Sequence, residues 1–190
     1  MIEFDEQKHI YTVDGIETVS VTRIVSQIFP RKYEGVSEEV LKKAADYGTS
    51  VHTALQNYIE NRSDDYKYDL LLNGINYDVL EKENCIEPVS LEEMVAYVGD
   101  VPLYAGRYDM FANVNGKKTI IDFKTTSRCD GDMLSWQLSM YAIAYEQMNK
   151  EKIDELACIW LPRNKVGSYV SVKRLGDEEV LEKVKEVLGL

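Results

Sequence analysis

The stretch YAGRYDMFANVNGKKTIIDFKTTS, residues 104–127, reads as a β-hairpin carrying charge where a core strand should be apolar. Asn115-Gly116 is a two-residue turn signal between alternating runs. That turn pairs Val114 with Lys117, and stepping outward pair by pair brings Asp109 directly opposite Asp122. Residues so opposed have β-carbons roughly 4.5–5.5 Å apart. Two carboxylates there are destabilising unless one is protonated or a cation lies between them. Side chains alternate along a strand, so Asp122 and Lys124 leave by one face. Met110, Ala112, Ile121 and Phe123 share the other. A bulge would shift this register.

By itself Asp-x-Lys on a strand usually reads as a surface ladder of opposite charges. With Asp109 across from it, the same residues supply the parts of metal-assisted phosphodiester hydrolysis. Two carboxylates can share a hard divalent cation, which takes oxygen ligands at about 2.0–2.6 Å. The ammonium of Lys124 then positions a water or a phosphate and stabilises developing charge.

The rest of the chain frames that hairpin. A first hairpin spans residues 8–21, turning at Asp14-Gly15 and including His9. Residues 22–29 predict a short helix, capped by Thr22 or Ser20 and ended by Pro30. Ser37 opens a long helix, SEEVLKKAADYGTSVHTALQNYIENR, with Val40, Ala44, Val51, Leu55 and Ile59 as its apolar stripe. Residues 63–84 predict a helix flanked by loops. VSLEEMVAY, 89–97, predicts one strand, whose alternation puts Glu93 on the face of Val89, Leu91, Val95 and Tyr97. Glu92 takes that place if the strand slips by one residue. Asp132 opens an amphipathic helix, two strands follow over 155–175, and Asp177 caps a last helix to about Leu188. Repeats and linkers are absent. The expected fold is one mixed α/β domain over residues 1–190, a central mixed sheet flanked by helices with an amino-terminal hairpin.

The 190 residues suffice for one sizeable core, and 45% are apolar. The opening MIEFDEQKH is too polar for a signal peptide, and no apolar run reaches the roughly 18 residues that span a membrane. Cys85, Cys129 and Cys158 form no CxxC pair. That argues against a zinc site and excludes an all-cysteine iron–sulfur cluster, which takes four; thiols in a reducing cytosol are expected instead. The net charge of −11 argues against non-specific coating of nucleic acid, which phosphate neutralisation drives. It leaves room for a local basic track, with Arg107, Lys117, Lys118 and Arg128 as its candidates.

Four motifs in order resemble the PD-(D/E)XK nuclease superfamily, in particular its RecB-type branch with the stand-alone phage recombination exonucleases. They are Gly48 to His52 in GTSVH, Gly106 to Asp109 in GRYD, Asp122 and Lys124 in DFKTT, and Gln137 to Tyr141 in QLSMY. With the opening HIYTVDG…SVT, the resemblance runs from about residue 8 to 161. It implies a restriction-endonuclease-like core and a DNA exonuclease of phage-type recombination or repair. Asp109, Asp122 and His52 would bind magnesium or manganese, joined by a glutamate from the preceding strand, Glu93 or Glu92. Lys124 would serve at the attacking water. Gln137 and Tyr141, one helical turn apart, would line the site and contact the DNA backbone. Of the basic candidates, each of which also reads as a plain solvated charge, Arg107 and Arg128 are taken as DNA contacts, Arg128 first because it directly follows the strand of Asp122 and Lys124. By pattern alone, His52 also fits a core or surface histidine, and Gln137 with Tyr141 a solvated glutamine beside a core tyrosine. The partners implied are DNA ends or single strands, a single-strand annealing or recombination protein, and further copies of the chain. The implied setting is the cytoplasm of a bacterial or phage-infected cell, away from membranes. A non-catalytic binding member of the fold and an endonuclease are the alternatives.

Overall fold

The structure, a computed structural model, describes residues 1–6, 8, 10–32, 34–61, 68–163 and 165–190, the side chains of 68–75 excepted. His9 and residues 63–67 lie outside the described residues. Three strands, β1 (Ile2–Asp5), β2 (Ile10–Val13) and β3 (Ile16–Thr18), form an antiparallel amino-terminal sheet. Asp14 and Gly15 both have positive φ, the left-handed pair that lets β2 and β3 join in two residues. β1 is an addition to the expected hairpin; its four residues are too few for a periodic signal.

Helices α1 (Val21–Ile28), α2 (Glu38–Asn61) and α3 (Tyr68–Glu83) follow. Ser20 caps α1 by accepting the Arg23 N–H at 3.2 Å, and Ser37 accepts the Val40 N–H at 3.4 Å ahead of α2. The expected stripe on α2 is buried only in its second half, at Val51, Leu55, Tyr58 and Ile59. Val40 and Ala44 are exposed.

The central sheet has the order β10-β9-β8-β7-β4, from β4 (Ile86–Leu91), β7 (Met110–Val114), β8 (Lys117–Lys124), β9 (Glu155–Trp160) and β10 (Ser168–Val172). It is mixed. β8 and β9 run parallel, joined through α4 (Gly131–Asn149), and the other pairs are antiparallel. The chain ends in α5 (Asp177–Leu188). The hairpin register is as expected, from Val114↔Lys117 to Met110↔Ile121, with Asn115 and Gly116 at positive φ.

Both faces of this sheet are covered. Phe111, Ile120, Leu156 and Cys158 pack with α1, α4 and α5. Met110, Ala112, Ile121, Phe123 and Ile159 pack with α2 and α3. Each fully buried side chain of that size contributes about 1.5–3 kcal/mol, so β8 is anchored from both sides.

The segment VSLEEMVAY is not one strand. β4 ends at Leu91, and β5 (Met94–Val98) leaves to pair with β6 (Pro102–Arg107) in a separate two-stranded sheet. The chain breaks at Glu92, whose φ of 54° is left-handed and incompatible with a continuing strand. Two helix starts also move. Asp130, not Asp132, caps α4 by accepting the Met133 N–H at 3.1 Å. Gly176 precedes α5, and Asp177 is its first residue. Among the described residues, no helix is long and apolar enough to cross a membrane.

Candidate active site

β8 outruns its hairpin partner. Pairing with β7 stops at Met110↔Ile121, so on that side the backbone of Phe123 lacks a strand neighbour and must find other partners. Two side chains supply them. Asp109 Oδ2 accepts the Phe123 N–H at 2.6 Å, and His52 Nε2 donates to the Phe123 carbonyl at 2.9 Å. The expected opposition of Asp109 to Asp122 therefore becomes a cap: Asp109 sits just before β7, with its carboxylate on the backbone of β8.

The carbonyl can only accept, so Nε2 carries a proton. Without a metal the ring is protonated at Nδ1 as well, which faces Asp109 Oδ1 at 3.3 Å; a metal would take the place of that second proton. Metal-bound histidines are oriented in this way by a carbonyl at their other nitrogen. Burial lowers the pKa of His52, but the Asp109 charge and hydrogen bond outweigh it and raise it to about 9. Glu92 completes the group: ligand atoms of His52, Glu92 and Asp109 lie within 4.8 Å of one another. Burial and the neighbouring Asp109 raise the pKa of Glu92, against the pull of Arg107.

Asp122 and Lys124 leave by the α4 face. Lys124 Nζ lies 2.9 Å from Asp122 Oδ1 and 2.8 Å from Oδ2. Gln137 Nε2 donates to the same Oδ1 at 2.8 Å, and Gln137 Oε1 stands 3.5 Å from Lys124 Nζ. Oδ2 is buried, and its contact with Lys124 is an ion pair rather than a directed hydrogen bond. Burial raises the pKa of Asp122 to about 6, with Asp109 adding and Lys124 opposing. Burial pushes the Asp109 carboxyl up as well, but His52, Lys124 and the Phe123 N–H together hold it below the usual carboxylate range.

These residues fit a divalent cation. His52 Nδ1, Asp109 Oδ1 and a Glu92 oxygen form a mixed nitrogen and oxygen set, and Asp122 Oδ2 is a buried carboxylate oxygen whose close polar neighbour is the Lys124 ammonium. Three carboxylates (Glu92, Asp109, Asp122) face three bases (Arg107, His52, Lys124), so the charges balance within the site.

Several expectations change. Glu93 turns away and accepts the Tyr108 hydroxyl at 2.7 Å; the break at Glu92 gives Glu92 the place at the site. Arg107 is held by Glu92 at 2.8 Å. Tyr141 is 3% exposed, so it backs the site from behind α4 while Gln137 faces in. Lys117 and Lys118 stand at the turn end of β8, roughly 20 Å from Lys124 at about 3.3 Å per residue. They pair there with Glu155 and Glu151. Arg128 is exposed just beyond the end of β8.

A cleft of about 670 Å³ opens beside Lys124 and Gln137, walled by Phe29, Pro30, Lys32 and Met133. Sequence reasoning assigned this wall no role. Its one sequence signal is the basic Arg31-Lys32 pair after Pro30.

The model of the PD-(D/E)XK nuclease superfamily matches residues 68–188. Among solved structures the chain is similar to SSO0001, with 18% identity and a TM-score of 0.48, covering 94% of this chain and 78% of that one. It is also similar to a phage-related exonuclease from Haemophilus somnus 129PT, with 14% identity and a TM-score of 0.41, covering 90% of each chain. No curated protein matches it.

Proposed function

Because this chain belongs to the PD-(D/E)XK nuclease superfamily, we propose that it is a divalent-metal-dependent deoxyribonuclease acting as an exonuclease on DNA ends. The observation that carries the reading is the junction at the end of β8. There a histidine, a glutamate and an aspartate converge, with a lysine on β8 held by Asp122 of the same strand and by Gln137 of α4. The exonuclease assignment follows the order of the RecB-type motifs. On this reading the protein works in phage-type recombination or repair, beside a single-strand annealing protein.

Hydrolysis adds water across a phosphodiester, giving a phosphomonoester and a free hydroxyl. Magnesium or manganese held by His52, Glu92, Asp109 and Asp122 would supply positive charge to the phosphoryl oxygens and acidify bound water. The ammonium of Lys124 orients the attacking water and stabilises the charge that grows on the phosphoryl group. Gln137 holds Lys124 and Asp122 in register. Asp109 and His52 fix the end of β8 on which both groups ride.

The test compares linear with closed-circular DNA in magnesium, manganese or EDTA, with Asp122→Ala as the contamination control. Metal-dependent loss of linear DNA alone supports the exonuclease. Cutting of the circle would replace it with an endonuclease. Absence of cleavage in every metal would sink the catalytic reading in favour of a binding protein.

A further inference from the structure

A second cleft, of about 480 Å³, lies on the other side of the catalytic strand, between the start of α2 and the turn after β9. It begins one step beyond the site: Leu161 N donates to the Lys124 carbonyl at 2.7 Å, so Arg163 and Lys165 follow directly after the catalytic lysine in space. Thr126 and Ser127 face them across the cleft, with Lys43 and Tyr47 on α2.

Among the described residues the lining carries Lys43, Arg163 and Lys165 and no carboxylate, in a chain with 33 acids and 22 lysines and arginines. Several cations near the sheet are taken up in pairs, as at Arg107–Glu92, Lys117–Glu155, Lys118–Glu151 and Arg174–Glu146. Lys43 is paired as well, with Glu39. Arg163 and Lys165 differ. Among the described residues no carboxylate pairs with either, and each rests instead on an aromatic ring. The Arg163 guanidinium is 4.6 Å from the centroid of Tyr47, and Lys165 Nζ is 5.9 Å from that of Trp160. Such contacts hold a cation in place while leaving its donors free. The facing loop is also fixed, because Trp160 Nε1 donates to the Thr126 carbonyl at 2.7 Å and Thr126 Oγ1 to the Arg128 carbonyl at 2.7 Å.

We propose that this cleft holds the sugar–phosphate backbone of the strand being cut, with Arg163 and Lys165 as ligands of phosphates next to the scissile one. The inference rests on the nuclease reading. A strand with one phosphate at Lys124 continues in one direction past Thr125 to Ser127, where these are the unpaired cations at the cleft wall. It reconciles an acidic protein with a polyanionic substrate: binding is confined to a short local track.

The experiment measures anisotropy of a fluorescein-labelled single-stranded oligonucleotide in EDTA, across a salt series, for wild type, Arg163→Ala, Lys165→Ala and the double variant. Cleavage of the oligonucleotide and of bis(p-nitrophenyl) phosphate is followed in manganese. Each single substitution should weaken binding several-fold and lower the salt slope by about 0.7 for a single strand. KM for DNA should rise while the rate on the small diester stays unchanged. Melting temperatures equal to wild type exclude misfolding, as both side chains are exposed. Unchanged affinity and salt slope in the double variant would overturn the track while leaving the nuclease intact. Equal displacement by polyglutamate would reassign the cleft to an acidic protein partner. A wild-type protein that neither binds nor cleaves would overturn both readings.

Discussion

Gly106 and Tyr141, from two separate sequence motifs, touch each other behind the active site. A β-carbon at position 106 would stand 2.6 Å from Tyr141 Cε1 and 3.2 Å from Val21 Cγ2. Tyr141 is 3% exposed and Val21 fully buried, so neither can give way. Gly106→Ala should therefore cost about 1–3 kcal/mol through overpacking. Pairing it with Tyr141→Leu should recover part of the loss. Denaturant midpoints of the two variants check this, and an unchanged midpoint for Gly106→Ala would refute the contact.

Lys124→Ala should abolish DNA cleavage while metal binding persists. It should also lower stability in EDTA by about 3–5 kcal/mol, because Asp122 is left as a buried carboxylate without its ion-pair partner. Manganese should then raise the melting temperature of the variant more than that of wild type. Thermal melts with and without metal, beside a cleavage assay, measure both effects.

The two adjacent glutamates should separate cleanly. Glu92→Gln, beside Asp109 and His52, should weaken manganese binding at least about tenfold, in the range of lost ligand or support contacts. Glu93→Gln should leave metal affinity alone and cost about 1 kcal/mol at its hydrogen bond to Tyr108. Calorimetric manganese titrations decide it; equal losses in both variants would refute the assignment.

Away from the site, Glu146 ties the end of α4 to Arg174 at 2.6 and 3.1 Å, and accepts the Ile153 N–H at 2.8 Å. Burial alone would raise its pKa, but Arg174, Lys152 and that N–H lower it to about 2. A depressed carboxyl stabilises the fold above its unfolded value near 4.5, and the contribution disappears as pH falls through the folded value. Stability should therefore drop between pH 4.5 and about 2. Glu146→Gln should remove about 2 kcal/mol at neutral pH and flatten that acid limb, as read from denaturant unfolding at several pH values.

The sequence by itself determined the hairpin, its register and the pairing of acid and lysine on β8. Those depend on a two-residue turn and on alternation, both local properties of the chain. It also determined the sites of α1, α2 and α5, where capping and periodicity lie within a few residues. Only the tertiary structure decided which glutamate joins Asp109. That choice depends on the chain leaving one sheet for another at Glu92, and alternation cannot register a strand that ends. The contact of Tyr141 with Gly106 and the ring contacts of Arg163 and Lys165 were likewise illegible. A tyrosine behind a glycine, and cations resting on rings from distant segments, are contacts between elements that only the packed chain brings together. His52 stands between the two cases: its motif marked it, but its ring is oriented by the Phe123 carbonyl, which is free because β8 extends past β7.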